Sequence, residues 1–345
     1  MKSIISFIII LICLVHSSSA QDKLRVFQFN VWQEGTSVPN GFDQIIDLII
    51  ESKADIITLS EVRNYKGKDL HERIIQALAK RKHTFYGKYA GGDVGLISRY
   101  PVIKTEAVPS SAKTSIYAYH IELPNKKPLI VCSAHLEYTN YAVYLPRGYD
   151  GNSFKPIKLD KSGQPIPVTD IAKLHAMDAA STRDEAIAGF IKYAKSHADT
   201  DVILAGDFNE ASHLDWTQET AKLFDHNGVV IEWKNSKTLA DNGFSDSYRE
   251  IHPDPVVYPG LTWPSENSGN KVVNWTPKAD DRERIDFIYY NKENLVVKAA
   301  FIAGSKKYYV KGKLKRTSKS KDDHLLERDD WPSDHKGVIV DFDYK

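Results

Sequence analysis

Cysteine is nearly absent from this chain: Cys13 and Cys132 are the only two in 345 residues. That excludes a disulfide framework and any cysteine-ligated metal centre, which needs several thiolates at close spacing. Cys132 lies in the apolar run Leu129-Ile130-Val131-Cys132 and reads as a small buried side chain. A charge bias is missing too. Lys and Arg number 46 and Asp and Glu 45, so no global field draws the protein to a polyanion, and any such affinity must be local. Nor is there a run long enough to cross a bilayer, which takes about 20 apolar residues. Ile4 to Val15 carries no charge but is twelve residues long.

That short run follows Met1-Lys2 and leads into His16-Ser17-Ser18-Ser19-Ala20, with Ser18 and Ala20 as small residues before a cleavage point. The pattern predicts an export signal over residues 1–20, a mature chain from Gln21, and a site of action that is secreted or periplasmic. Ile12 is too bulky to precede a lipidated Cys13. Without Lys2 the basic and acidic counts are equal. No stretch of linker composition divides residues 21–345, which read as one domain, expected to act as a monomer.

What the chain does have is a series of apolar runs that end on polar residues. The most informative is Asp201 to Glu210, DVILAGDFNE: a buried strand, a glycine where backbone can approach closely, then Asp207 and Asn209 two residues apart and so on one side. A carboxylate and an amide suit a hard cation, a phosphate or an attacking water, although the same residues also form turns. Leu24 to Trp32 is a strand delivering Asn30, Phe42 to Ile50 a helix, and Ala54 to Leu59 a strand delivering Glu61. Leu70 to Leu78 is a helix, and Gly91 to Ser98 and Val102 to Val108 are strands. Ile116 to Leu123 and Pro128 to His135 form a hairpin across Pro124-Asn125-Lys126, ending on His135.

Residues 138–170 break the pattern with Tyr, Pro, Gly and Asp, and their aromatics predict a packed flap rather than disorder. Thr182 to Glu185 is a capping-box pattern opening a helix to about Ser196. Trp216 to Phe224 reads as a helix. Arg284 to Tyr290 is a strand with Asp286 in its middle, Leu295 to Ile302 is another strand, and Ser333-Asp334-His335 precedes a last strand, Lys336 to Phe342.

Taken in order, FNVW at Asn30, SEV at Glu61, GLISRYP at Gly95 to Pro101, SAHLE at His135, GDFN at Asp207, RIDFIY at Asp286 and SDH at Asp334 resemble the endonuclease/exonuclease/phosphatase superfamily. The resemblance implies a four-layer α/β sandwich, with two mostly antiparallel sheets face to face and helices outside. It also implies a phosphoester hydrolase dependent on a divalent metal, probed first as Mg²⁺ with Mn²⁺ and Ca²⁺ as alternatives. Glu61 and Asn30 would hold the metal, and Asp334 would complete a second metal or phosphate region. His335 and Asp286 would form a histidine–carboxylate pair, His335 or Asp207 would take a proton from water, Asn209 would donate to the phosphate, and His135 would serve the leaving oxygen. Asp93 could orient His135 or simply form a turn.

The substrate stays open. A phosphodiester leads; an extracellular nuclease, a sphingomyelinase-like phospholipid hydrolase and a small-molecule phosphatase are alternatives, and a catalytically inactive binding module is the reading from another class. Lys306 to Lys321 holds eight basic residues that could grip phosphates, although a solvated hairpin balanced by the acids of residues 322–330 is favoured. Arg147 is expected to reach the substrate phosphate. Trp263 and Trp275 are expected to anchor loops, and the remaining histidines to lie at the surface or in packing.

Overall fold

The computed structural model describes residues 22–124, 126–291, 293–316 and 319–344. The expected export signal and Asn125 lie outside the described residues.

Strands β1 (Asp22–Asn30), β2 (Ile56–Ser60), β3 (Tyr86–Gly87) and β4 (Val94–Ser98) begin one sheet. A second sheet contains β5 (Val102–Ala107), β6 (Ile116–Glu122), β7 (Pro128–His135), β8 (Asp201–Asp207), β9 (Phe244–Asp246) and β10 (Asp286–Asn291). The chain returns to the first sheet with β11 (Leu295–Ala303), makes a separate hairpin of β12 (Lys307–Val310) and β13 (Lys313–Arg316), and completes that sheet with β14 (His324–Leu325) and β15 (Gly337–Tyr344). The first sheet runs β14-β11-β15-β1-β2-β4-β3 and the second β5-β6-β7-β8-β10-β9. Three pairings, β1/β2, β7/β8 and β11/β14, are parallel and the others antiparallel.

Alternation along the strands explains the layers. In β1, Leu24 and Val26 face a core shared with Ile203, Ala205 and Ile288 of the second sheet, whereas Phe27 and Phe29 face the opposite side, against α1 (Gly41–Ser52) and α2 (Leu70–Lys80). Because side chains alternate, Leu204 of β8 points away from Ile203 and packs under a second helix pair. Two helices beyond the flap are α3 (Ile171–Asp178) and α4 (Arg183–Lys195); α4 and α5 (Lys234–Asp241) cover the second sheet. A short α6 (Ser247–Ile251) follows β9. The arrangement is the expected four-layer α/β sandwich. Cys132 is fully buried under α4, as its apolar run implied.

Asp69, Asp170 and Asp246 each accept two backbone N–H bonds at the start of α2, α3 and α6, satisfying donors that a helix leaves unpaired. The capping box expected at Thr182 is not made. The helix starts there, but the Thr182 hydroxyl donates instead to Glu137 Oε2 at 2.7 Å. The helix expected over Trp216 to Phe224 is also absent. The Thr220 hydroxyl donates to the Asp215 carbonyl at 2.6 Å and accepts from the Thr217 N–H at 3.0 Å, an alternative to helical pairing, and Trp216 stacks on His226. The basic segment forms the expected hairpin, yet Tyr308 and Tyr309 are buried, and Lys307 and Arg316 pair with Asp329 and Glu327 of the acidic stretch.

Both core faces of β8 are load paths for the second sheet. Ile203→Ala and Leu204→Ala should each cost about 2–5 kcal/mol in urea unfolding, and a loss below 1 kcal/mol at either position would contradict this packing.

Candidate active site

The site lies where strand ends from both sheets meet. Parallel pairing of β7 with β8 sets His135 opposite Asp207, and antiparallel pairing of β10 with β8 sets Asp286 opposite Asp207. The three residues therefore form one row across three strands. Gly206 permits it: a Cβ there would stand 2.2 Å from the Ala134 carbonyl oxygen. Asp286 opens β10 rather than sitting in its middle, because the Thr262 hydroxyl oxygen receives the Ile285 and Asp286 N–H groups at 3.1 and 3.2 Å.

Two imidazoles converge on one carboxylate. His335 meets Asp286 Oδ2 through Nδ1 at 2.9 Å, and its Nε2 stands 3.7 Å from Asp207 Oδ2. His135 meets Asp93 Oδ2 through Nδ1 at 2.8 Å, and its Nε2 stands 3.8 Å from the same Asp207 oxygen. Of the two roles open to Asp93, orientation of His135 is therefore observed. Arg63, a residue the sequence did not single out, bridges Asp93 at 2.8 Å and Glu61 at 3.5 Å.

Asn30 is fully buried, and its Nδ2 donates to Asp207 Oδ2 at 3.0 Å and Glu61 Oε1 at 3.3 Å, while its Oδ1 accepts from the Trp32 N–H. The Gln33 N–H reaches Glu61 Oε2 at 3.0 Å. The Ser333 hydroxyl donates to the Asn30 carbonyl at 2.7 Å and accepts from the His335 N–H, which fastens the Ser333-Asp334-His335 turn to the tip of β1. Glu61 and Asn209 both hold positive φ, 66° and 47°, a disfavoured conformation for such side chains that the surrounding hydrogen bonds maintain. Asn209 Nδ2 spends one hydrogen on the Leu136 carbonyl.

Electrostatics separate these groups. Burial opposes a charge on His335, but Asp286 and Asp207 outweigh it and push its pKa up to about 10. Burial likewise opposes charge on His135, where the Asp93 hydrogen bond and the Asp207 charge prevail and raise it. For Asp207, burial is the largest influence and raises the pKa against the attraction of the histidines. Burial also raises Asp334, to about 7, with Glu61 adding repulsion.

In front of these groups is a cavity of about 310 Å³ bordered by Glu61, His135, Asp207, Asn209, Asp334 and His335 on one side and by flap and loop aromatics on the other. Both tryptophans border the cavity; Trp263 is buried, as a loop anchor should be, whereas Trp275 is 49% exposed, more than an anchor would be. The flap is packed as expected, with Tyr141, Tyr144 and Tyr149 in a hydrophobic cluster. Arg147 does not reach the cavity. Its guanidinium is buried and donates to Asp280, Val143 and Phe224 carbonyls and to Glu283 Oε1 at 2.6 Å, so it clamps the flap to the segment before β10.

A fold and a site of this kind define a class of phosphoester hydrolases, and comparison with known proteins agrees. Residues 27–335 match the Endonuclease/Exonuclease/phosphatase family, and the chain belongs to it. Members are metal-dependent phosphoester hydrolases, and so is this protein. A Caenorhabditis elegans protein named uncharacterized protein F14F9.5 is 28% identical over 332 residues, covering 95% of this chain and 94% of its own. Among solved structures, the 3′ phosphatase NExo from Neisseria, bound to a product DNA hairpin, is 17% identical over 93% of this chain and 100% of its own, with TM-score 0.52. An endonuclease/exonuclease/phosphatase from Beutenbergia cavernae is 18% identical over 93% and 72%, with TM-score 0.51.

Family members use divalent metals, and the donor set here fits one. Asp334 Oδ1 is buried without a hydrogen-bond partner among the described residues, and Glu61 and Asn30 add hard oxygens of the kind such cations prefer. Asp207, Asp286 and His335 also bring one ligand atom each within 4.8 Å of one another. Their Nδ1–carboxylate bond is already made, however, which suits that trio to proton transfer.

Arg147→Met should leave Glu283 as an uncompensated buried charge and cost about 3–5 kcal/mol of stability by urea unfolding. A stability loss under 1 kcal/mol would mean that the guanidinium is not the clamp.

Proposed function

We propose that the protein hydrolyses a phosphodiester by in-line attack of water, and that it does so after export. The observation that carries this reading is the pair of carboxylate-held imidazoles facing Asp207. Gaps of 3.7 and 3.8 Å are too long for hydrogen bonds, and an oxygen held beside each gap can bond both to the imidazole and to the carboxylate. With its pKa near 10, His335 is an imidazolium at neutral pH and donates to a phosphoryl oxygen. His135, raised in the same way, donates a proton to the leaving oxygen. Asp207, made more basic by burial, accepts the proton of the attacking water. Asn209 gives its remaining amide hydrogen to the phosphate. A divalent cation, with Mg²⁺ the first to try, would be held by Glu61, Asn30 and Asp334 and would supply Lewis-acid polarisation and charge neutralisation there. The leader-like residues 1–20 support export.

Bis-p-nitrophenyl phosphate with Mg²⁺ or Mn²⁺ is the direct assay. Asp207→Asn, His135→Asn and His335→Asn should each lower kcat by about 10²–10⁴-fold, and EDTA should abolish turnover. Activity within threefold of the native protein in His335→Asn would exclude the role given to that imidazole. Metal affinity should also rise as pH passes through about 7, because the Asp334 carboxyl, raised to about 7 by burial and by Glu61, must lose its proton to bind. Calorimetric titration with Mn²⁺ at pH 6 and pH 8 measures this, and the difference should vanish in Asp334→Asn.

A further inference from the structure

A second cluster of metal-ligating side chains lies away from the hydrolytic centre, on the second sheet. Glu106 is on β5, His120 on β6, and His197 stands two residues past the end of α4. The three bring one ligand atom each within 4.8 Å of one another. Tyr193 of α4 ties the group together: its hydroxyl donates to Glu106 Oε1 at 2.8 Å and lies 3.1 Å from His120 Nε2. His120 pairs with Ile130 of β7, five residues before His135. At about 3.3 Å per residue that is roughly 17 Å from the hydrolytic row.

Two imidazoles and a carboxylate form a donor set that zinc takes readily, whereas Mg²⁺ and Ca²⁺ are held almost wholly by oxygen. His197 is in the form a metal needs. Its Nδ1 is 2.9 Å from the Tyr193 carbonyl, which can only accept, so the ring proton sits on Nδ1 and Nε2 keeps its lone pair; metal-bound histidines are commonly oriented by such a bond. His120 Nε2 meets Glu106 Oε1 at 2.7 Å, and Lys104 takes the other Glu106 oxygen at 2.9 Å. Bond lengths of about 2.0–2.2 Å put ligand atoms on a tetrahedral Zn²⁺ roughly 3.3 Å apart, so the His120–Glu106 contact must open by only about 0.6 Å. Unlike the buried Asp286–His335 pair, these side chains are partly exposed, 18% and 29%, and have room to part. That exposure also gives an ion a way in and a water the fourth position. We infer that Glu106, His120 and His197 bind a Zn²⁺ that fastens β5 and β6 to the end of α4. β5 lies at the edge of its sheet and none of its six residues is buried, so it has little packing of its own to hold it. The inference is independent of the hydrolytic reading.

Two measurements test it. Calorimetric titration of the full chain with Zn²⁺ should give a binding event that His120→Gln and His197→Gln each weaken at least about tenfold and that Asp334→Asn leaves within about twofold. In the native protein, Zn²⁺ should slow amide hydrogen exchange in residues 102–107 and 116–122, a readout that needs no variant to fold. Zn²⁺ affinity unchanged in both histidine variants overturns the inference. So does binding that is lost in Asp334→Asn alone, or Zn²⁺ protection confined to the strand ends at Asn30, His135 and Asp207, either of which would put the ion at the hydrolytic centre.

Discussion

The pairing register of β8 with its two neighbours is the constraint on which the site depends. His135, Asp207 and Asp286 share one row because β7 and β10 each pair with β8 at that position. Side chains alternate along strands, so a slip of one residue would turn a whole strand's set to the other face. The register is protected by the same alternation, since a slipped β8 would drive Ile203 and Leu204 out of their separate cores. Core packing and catalytic geometry are therefore one specification, read on alternate residues.

Much of this was legible in the sequence. Apolar runs that end on Asn30, Glu61, His135 and Asp207 placed those residues at strand ends, and the described strands place them there or one residue beyond. What the residues could not reveal was pairing between distant segments. That Asp286 begins its strand depends on Thr262, a hydroxyl more than twenty residues earlier, and that Arg63 ties Glu61 to Asp93 depends on a loop meeting a turn. Arg147 misled for the same reason: an arginine in a polar, aromatic loop looks available until the carbonyls that occupy it are known. Local pattern also failed where side chains competed with backbone, as at Thr182 and Thr220.

The flap divides its aromatic residues between two duties. Tyr149 is fully buried and joins the cluster around Trp216 and Trp233, whereas Phe154 borders the cavity, next to Trp275 from outside the flap. The Arg147–Glu283 pair joins the flap to the segment that leads into Asp286. Flap position and the start of β10 are thus mechanically joined.

The strand that follows His335 has a further consequence. β15 lies between β11 and β1, an interior position in the first sheet, and it is the last of the described strands. During synthesis β1 emerges more than three hundred residues before its antiparallel partner. Until then β1 has one neighbour instead of two, and Asn30 lacks the turn carrying Asp334 and His335 that Ser333 fastens to it. A nascent chain therefore stays inert, with an open sheet edge, until residues 333–344 have been made and have docked. This order of assembly would keep the incomplete chain both inactive and in need of protection from self-association.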